Sequence, residues 1–132
     1  MHIVESILQQ AEQYKWSYPK KFEALKNAGV IYHTVRFIGN YDSVYEGTFG
    51  IWHEPTLPDY VSPILVNVFS EEGVKTALAN RMQGKTSYHQ FLADLAAVGV
   101  SHYKKEFIKR ADQYIITYFN ENKDQFYQQI VE

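Results

Sequence analysis

The amino-acid sequence predicts an α+β fold, in which two tandem helix–helix–strand–strand repeats form one antiparallel-rich sheet with helices packed on one face. Three observations support this prediction. The two halves match each other, helical spacing precedes strand-like segments in each half, and turn residues separate the paired strands. The repeats are predicted at about 3–49 and 73–119, with an asymmetric insertion at 50–69 and a C-terminal helix at about 121–131. We expect residues 1–132 to form a single domain, because half of this chain would be marginally stable alone.

The internal repeat becomes visible when Val4 is aligned with Val74. The alignment needs no gaps, and the identities fall on helix faces, at helix ends and in strand interiors, which are the positions that a shared fold constrains. The further identities are Leu8/Leu78, Gln13/Gln83, Lys15/Lys85, Ser17/Ser87, Tyr18/Tyr88, Leu25/Leu95, Gly29/Gly99, Val30/Val100, Phe37/Phe107, Ile38/Ile108 and Asp42/Asp112.

The first repeat begins with a helix, because apolar residues recur at helical spacing over residues 3–14. Ser17 is suited to cap a second helix, and Gly29 is placed to end it with a positive φ. The β-branched and aromatic run at 30–38 predicts a strand. A polar turn then leads into a returning strand at 43–49.

The second repeat follows the same order with clearer capping signals. Ser70 opens a helix that has two acidic residues in its first turn. Ser87 begins a capping box, and Gly99 is placed to end the helix that follows. Strands are predicted at 100–108 and 113–119.

Two segments lie outside the repeated pattern. The insertion at 50–69 contains Pro55, Pro58 and Pro63. Its first part predicts a loop, whereas the β-branched run at 64–69 predicts a further strand. After the second repeat, Asn120 is expected to cap a last helix whose apolar residues are Phe126, Tyr127, Ile130 and Val131.

Composition excludes several classes of function. The formal net charge is −2, and the basic residues are interleaved with acidic ones, so we expect no nucleic-acid binding. The chain has no cysteine, which excludes disulfides, thiolate catalysis and cysteine-type metal sites. We find neither a signal-peptide pattern nor an apolar run of about 18 residues, and therefore expect a cytoplasmic protein that does not enter membranes.

A resemblance to a known family rests on residues 16–32, where a helix start, an apolar stripe and a Gly-Val exit follow one another. The residues that carry it are Trp16, Ser17, Tyr18, Pro19, Phe22, Leu25, Ala28, Gly29, Val30 and Tyr32. This pattern resembles the YdfO/YbcV-like family of small bacterial proteins, whose members are sometimes labelled phage envelope proteins. The resemblance covers most of the chain, and it implies an α+β fold and a cytoplasmic protein of uncharacterised function without catalytic residues to transfer.

Familiar catalytic motifs are missing from the sequence. It has no phosphate-binding glycine loop, zinc-protease motif or serine-hydrolase elbow, and we predict no catalytic residue, cofactor or metal. His33 and His102 occupy matching strand positions, in swapped order with Tyr32 and Tyr103. Strand alternation predicts that His33 and Tyr103 share one face of the sheet and that Tyr32 and His102 share the other. One pair is expected at the helix–sheet interface and the other on the open face.

The insertion also supplies a candidate recognition loop at 51–60. It combines Trp52, His53 and Tyr60 with two acidic residues, and its prolines lower the entropy cost of ordering the loop on binding. The alternative is that Trp52 and Leu57 only plug an edge of the core. The candidate ligand or partner contacts are therefore Trp52, His53, Tyr60, His33 and His102.

Two hypotheses about function follow. Aromatic residues make up 16% of the chain and titratable residues form no motif, so the leading hypothesis is a non-catalytic binding or interaction module for an unknown protein or small molecule. The alternative is a small-molecule sensor or small enzyme with a site between the two repeats. A deep pocket with a titratable pair of perturbed pKa would favour the alternative, and a flat aromatic surface would favour the module. A homodimer through a sheet edge is left open.

Overall fold

Four helices and six strands make up residues 1–131, the part of the chain that the computed structural model describes. Two helices and three strands are followed by two helices and three strands, which confirms the α+β class. In chain order the elements are α1 (Ile3–Gln13), α2 (Tyr18–Asn27), β1 (Val30–Arg36), β2 (Asp42–Gly47), β3 (Gly50–His53), α3 (Glu71–Met82), α4 (Tyr88–Ala97), β4 (His102–Glu106), β5 (Tyr114–Phe119) and β6 (Phe126–Val131).

The strands form one antiparallel sheet in the order β3-β2-β1-β4-β5-β6. Its centre is the pair β1 and β4, where His33 lies opposite Lys105 and Val35 lies opposite Tyr103. Because residues opposite each other share a face of the sheet, His33, Lys105 and Tyr103 lie on one face. Tyr32 and His102 lie on the other face, as strand alternation predicted.

Serine caps and left-handed glycines delimit the second helix of each half. The Ser17 side chain accepts a hydrogen bond from the Lys20 amide, and the Ser87 side chain accepts one from the Gln90 amide. Gly29 and Gly99 follow the two helices with φ of 99° and 87°. A side chain is strained in this region of φ, so both sequence predictions of a terminating glycine are confirmed.

The core consists of two clusters of buried side chains. Residues of α1 and α2, including Val4 and Leu25, pack with Tyr45 and Phe107. Residues of α3 and α4 pack with Val35 and other residues of the sheet in a second cluster. Phe107 follows β4, so the first cluster joins helices of the first half to a residue of the second half.

The predicted C-terminal helix at 121–131 is wrong, because Phe126–Val131 form the edge strand β6 paired with β5. Asn120 does not cap a helix; it closes a turn in which its side chain accepts a hydrogen bond from the Gln125 amide over 3.2 Å. The apolar residues used for the helix prediction also fit a two-residue period, since β6 residues are alternately exposed and half-buried. Pairing with β5 therefore decides the structure of this segment.

Two expectations for the insertion also need correction. Gly50–His53 form strand β3, so the loop begins later than predicted. Residues 64–69 form no strand, so the prediction of a strand there is wrong; the two edge strands of the sheet are β3 and β6. This segment instead passes the C-terminal end of α4, where the Val66 amide donates to the Ala96 carbonyl oxygen and the Ser70 amide donates to that of Val98. It thereby satisfies carbonyl groups that the helix leaves free.

Within residues 1–131, no helix combines the length and the apolar character that a membrane crossing requires.

Candidate ligand-binding site

A small cavity lies between α2 and the centre of the sheet. Its volume is about 30 Å³, enough for a water molecule or a small polar head group. Most of its lining residues belong to α2 and to the strands β1, β2 and β4. It is lined by Tyr18, Lys21, Phe22, Leu25, His33, Tyr45, Lys105 and Phe107.

The amine of Lys105 is held beside two aromatic rings. Its Nζ lies 4.9 Å from the ring centroid of Tyr18 and 5.8 Å from that of Tyr103. None of the ion pairs formed within residues 1–131 involves Lys105. Burial lowers its pKa to about 8, and the positive charge of Arg81 acts in the same direction. A substantial fraction of Lys105 is therefore neutral near physiological pH.

Lys21 supplies a second amine to the same cavity. Burial lowers the pKa of Lys21, and the charge of Lys105 lowers it further, whereas Glu54 and Glu12 act in the opposite direction. Like Lys105, it takes part in no ion pair between the residues that the structure describes. Two half-buried lysines thus line one small cavity, and the charge of Lys105 disfavours that of Lys21.

His33 forms the floor of this cavity as a neutral ring. One ring nitrogen, Nε2, shares a hydrogen bond of 2.7 Å with the Ser43 hydroxyl, and the ring stacks on Tyr45 with centroids 3.8 Å apart. Burial holds the pKa of His33 well below 6.5, and the charges of Lys105 and Lys21 lower it further. The imidazole therefore adds no charge to the two amines at pH 7.

A larger apolar cavity of about 150 Å³ adjoins the first. Tyr18 and Phe22 line both cavities and form their common wall. Phe22 stacks on Phe107 at 4.4 Å and meets Tyr114 edge-on at 4.6 Å. The complete lining is Tyr18, Pro19, Phe22, Glu23, Glu106, Tyr114, Ile116 and Val131. We call the two cavities together the seam site, because α2 comes from the first half and β4 and β5 come from the second.

Polar contacts support the walls of the larger cavity. The Glu106 carboxylate, which is largely buried, is paired with the Arg110 guanidinium at 2.6 Å. Across the two halves, the Lys26 amine donates a hydrogen bond of 2.6 Å to the Tyr114 hydroxyl. The charge of Glu106 is therefore compensated, and α2 is tied to β5.

The entrance side chain is Tyr18, on the first turn of α2. It is 49% exposed, yet burial around its hydroxyl raises its pKa to about 12. Its hydroxyl is therefore a neutral hydrogen-bond donor throughout the physiological range. Tyr18 is partly solvated and lines both cavities.

A chain of tyrosine hydroxyls ends at Tyr103, whose ring lies beside Lys105. Tyr41 and Tyr88 share a hydrogen bond of 2.9 Å, and Tyr88 and Tyr103 share one of 2.7 Å. Burial raises the pKa of all three tyrosines, so they remain neutral. This chain fixes the ring of Tyr103 beside Lys105.

The five site residues predicted from the sequence are not brought together. His33 lines the small cavity. Trp52 stacks on His2 at the outer strand β3, and His53 is exposed on the opposite face of that strand. The Tyr60 hydroxyl donates to the Phe37 carbonyl oxygen. His102 lies on the far face of the sheet, stacked on Phe119, with Nδ1 bonded to the Ser101 hydroxyl and Nε2 buried without a partner among residues 1–131.

Sequence reasoning missed Lys21, Lys105 and the wall formed by Tyr18 and Phe22. One signal could have found Lys105: it lies two residues from Tyr103 in a strand, so alternation places both on the face of His33. A lysine that shares a face of a central strand pair with the buried His33 and Tyr103 is unusual, because lysine is almost never fully buried without a partner.

Comparison of the sequence with models of known protein families finds no match, and comparison with curated proteins finds none either. The resemblance to the YdfO/YbcV-like family stays a prediction. Among residues 1–131, no group of three or more His, Asp or Glu side chains is arranged to hold a metal ion.

Proposed function

We propose that this protein binds a small molecule with an anionic head group and a compact apolar body at the seam site. The observation that carries the proposal is the pair Lys21 and Lys105, two amines facing one cavity that also adjoins an apolar cavity. This proposal is closest to the alternative hypothesis from the sequence, a small-molecule sensor or small enzyme with a site between the two repeats. Its criterion was a deep pocket with a titratable pair of perturbed pKa; Lys21 and Lys105 are such a pair, in a cavity of about 30 Å³.

We also propose that the seam site arose by duplication. We take the two halves as copies of one unit with two helices and three strands, whose helices cover one face of the common sheet. The repeated element order and the strand order, with β1 and β4 at the centre, support this view. Duplication of such a unit joins two identical helix–sheet layers edge to edge, and the seam site lies where they meet.

An anionic head group fits the small cavity for electrostatic reasons. Each amine loses hydration on burial, and the charge of Lys105 also lowers the pKa of Lys21, an effect that Glu54 and Glu12 only oppose in part, so protonating both amines is costly. A carboxylate between them would supply a counterion and accept charge-assisted hydrogen bonds. The neutral hydroxyl of Tyr18 is a further donor at the same wall.

The larger cavity sets the size of the apolar body. A dry cavity of about 150 Å³ lined by apolar side chains accommodates a benzene ring. Phe22, Tyr114 and Ile116 line such a space beside the amines. Benzoate and short branched-chain carboxylates therefore match the seam site in charge, volume and polarity.

The test is calorimetric titration of the protein with benzoate and with benzamide, which has nearly the same shape without the charge. We expect benzoate to bind and benzamide to bind at least about tenfold more weakly, because the amide cannot neutralise the amines. Lys21→Met should weaken benzoate binding by a similar factor. Lys20→Met is the matched control, since Lys20 is exposed and lies over the ring of Trp16. Equal binding of both compounds would contradict the proposal.

A second candidate is the protein-interaction module. It is favoured by the apolar residues exposed in the segment before α3, where Val61, Ile64 and Val68 are 81%, 88% and 71% exposed. Such a patch is typical of a binding surface. Pull-down from a cell extract with the native chain and with Ile64→Ser tests this candidate. A partner that is lost with Ile64→Ser would support the module, and the same partners with both chains would exclude this surface.

A further inference from the structure

We propose that Lys105 is a nucleophile that forms an imine with the carbonyl carbon of a small 2-oxo acid bound at the seam site. This inference deepens the proposed function and rests on it. The geometry behind it is an amine without an ion-pair partner among residues 1–131, held beside two aromatic rings and directed at a cavity with a second amine.

The two lysines can take different roles toward such a substrate. A 2-oxo acid carries its carboxylate next to the reacting carbonyl group. Lys21, on α2, would hold the carboxylate, and Lys105, on β4, would reach the carbonyl carbon from the sheet side. The apolar side chain of the acid would then occupy the larger cavity beside Phe22 and Ile116. One small molecule thereby uses both cavities of the seam site.

The reaction needs the neutral form of the amine. With a pKa of about 8, roughly a tenth of Lys105 is neutral at pH 7, against roughly three in ten thousand for a lysine with the ordinary pKa of 10.5. Desolvation and neighbouring positive charge are the general means by which proteins activate lysine for imine chemistry. Here burial supplies the desolvation and Arg81 supplies the positive charge. Of the other titratable groups around Lys105, Tyr18, Tyr45, Tyr103 and His33 are uncharged at pH 7.

The step balances without an oxidant or reductant. The Nζ lone pair of Lys105 attacks the carbonyl carbon, a C–N bond forms, and the electron pair of the C=O bond moves to oxygen, which takes up one of the two amine protons. A proton then moves from nitrogen to the new hydroxyl, the C–O bond breaks, and one water molecule leaves. The product is the imine.

The experiment uses phenylglyoxylate as the probe. The native chain is incubated with it at pH 7.5, reduced with borohydride, and examined by intact-mass spectrometry and peptide mapping. We expect one adduct per chain, on Lys105, with a mass increase equal to that of the acid less one oxygen atom. Benzoate, which lacks the oxo group, should leave no adduct after the same reduction.

Two variants separate this lysine from its neighbour. Lys105→Arg keeps the positive charge but cannot form the imine, so the adduct should be lost. Lys104→Arg should keep it, because Lys104 points to the other face of the sheet, over the ring of Tyr32. Circular dichroism checks that both variants fold. The peptide map of the native chain decides the question even if Lys105→Arg does not fold.

Each remaining outcome overturns part of the account. If phenylglyoxylate binds in the calorimeter but borohydride traps no adduct, the imine is wrong and the proposed binding function stands. An adduct spread evenly over the lysines would also contradict a specific role for Lys105. If phenylglyoxylate and benzoate neither bind nor leave an adduct, the imine and the proposed function are both wrong.

Discussion

Replacing Lys105 with methionine tests the environment of the seam site through stability. The pKa of Lys105 is about 8 in the folded protein, against 10.5 as its ordinary value. Since a pKa difference of one corresponds to about 1.4 kcal/mol, the protonated amine destabilises the folded protein by roughly 3 kcal/mol. Lys105 is only half-buried, so solvent screening reduces this to about 2 kcal/mol. Methionine has a similar length and carries no charge.

The loss of a cation–π interaction offsets part of the stability that methionine would add. The amine lies near the rings of Tyr18 and Tyr103, and cation–π attraction stabilises the native protein by up to about 1 kcal/mol. The desolvation cost is larger than this attraction. We therefore expect Lys105→Met to raise the free energy of unfolding by about 1–2 kcal/mol at pH 7.

The effect should depend on pH in a defined direction. The lysine has a lower pKa in the folded than in the unfolded chain, so the unfolded chain binds more protons between about pH 8 and 10.5. The penalty is complete below pH 8 and fades as the pH rises through this window. The difference in free energy of unfolding between Lys105→Met and the native protein should therefore shrink by about 1–2 kcal/mol between pH 7 and 9.5.

Urea unfolding followed by circular dichroism measures this difference. The native chain, Lys105→Met and the control Lys104→Met are compared at pH 7 and 9.5. Lys104 is the neighbouring residue on the opposite face, over the ring of Tyr32, so its replacement removes a cation–π contact and should lower stability by up to about 1 kcal/mol. A Lys105→Met protein that is less stable than the native chain at pH 7 would refute the reasoning. So would a stability difference that does not change with pH.

Three further predictions follow from the same structure. Gly99→Ala should destabilise the protein by about 2–4 kcal/mol in urea unfolding, because its Cβ would lie 2.6 Å from the Phe69 backbone as well as at positive φ. Gly84→Ala, at positive φ but in open space, should cost only about 1 kcal/mol, and equal costs would contradict the clash. Benzoate binding at pH 8.5 should be accompanied by uptake of a proton, because a nearby carboxylate raises the pKa of Lys105. Calorimetry in buffers of different ionisation enthalpy measures this uptake. If no proton is taken up, benzoate does not bind beside Lys105. DNA and RNA should show no micromolar binding at physiological salt in filter-binding assays, and a tight, salt-dependent affinity would overturn the argument from charge.

The helix ends could be predicted from the sequence because they depend on local rules. Ser17 and Ser87 accept hydrogen bonds from backbone amides three residues later, and this geometry follows from neighbouring residues alone. Gly29 and Gly99 have the positive φ that a helix end needs. The same rules wrongly predicted a helix at 121–131, because non-local pairing with β5 decides the structure of that segment.

The candidate site could not be predicted for a similar reason. Lys21 and Lys105 are far apart in the sequence, and the pairing of β1 with β4 together with the position of α2 brings them to one cavity. Neither lysine belongs to a motif. The loop with Trp52 and Tyr60 attracted attention through its composition, but those side chains contact the surrounding protein at separate places. Composition shows which groups are present, whereas the pairing of distant strands determines which of them meet.

The most direct measurement of the central claim is a methyl NMR titration of the protein with benzoate. Ile116 and Val131 line the larger cavity, whereas Ile51 and Ile130 line neither cavity of the seam site. Ring currents from a phenyl group in this cavity should shift the methyl signals of Ile116 and Val131 in a saturable manner, and leave those of Ile51 and Ile130 in place. Shifts confined to methyl groups outside the seam site, or none at millimolar benzoate, would contradict the claim that this protein binds small anionic molecules between its two halves.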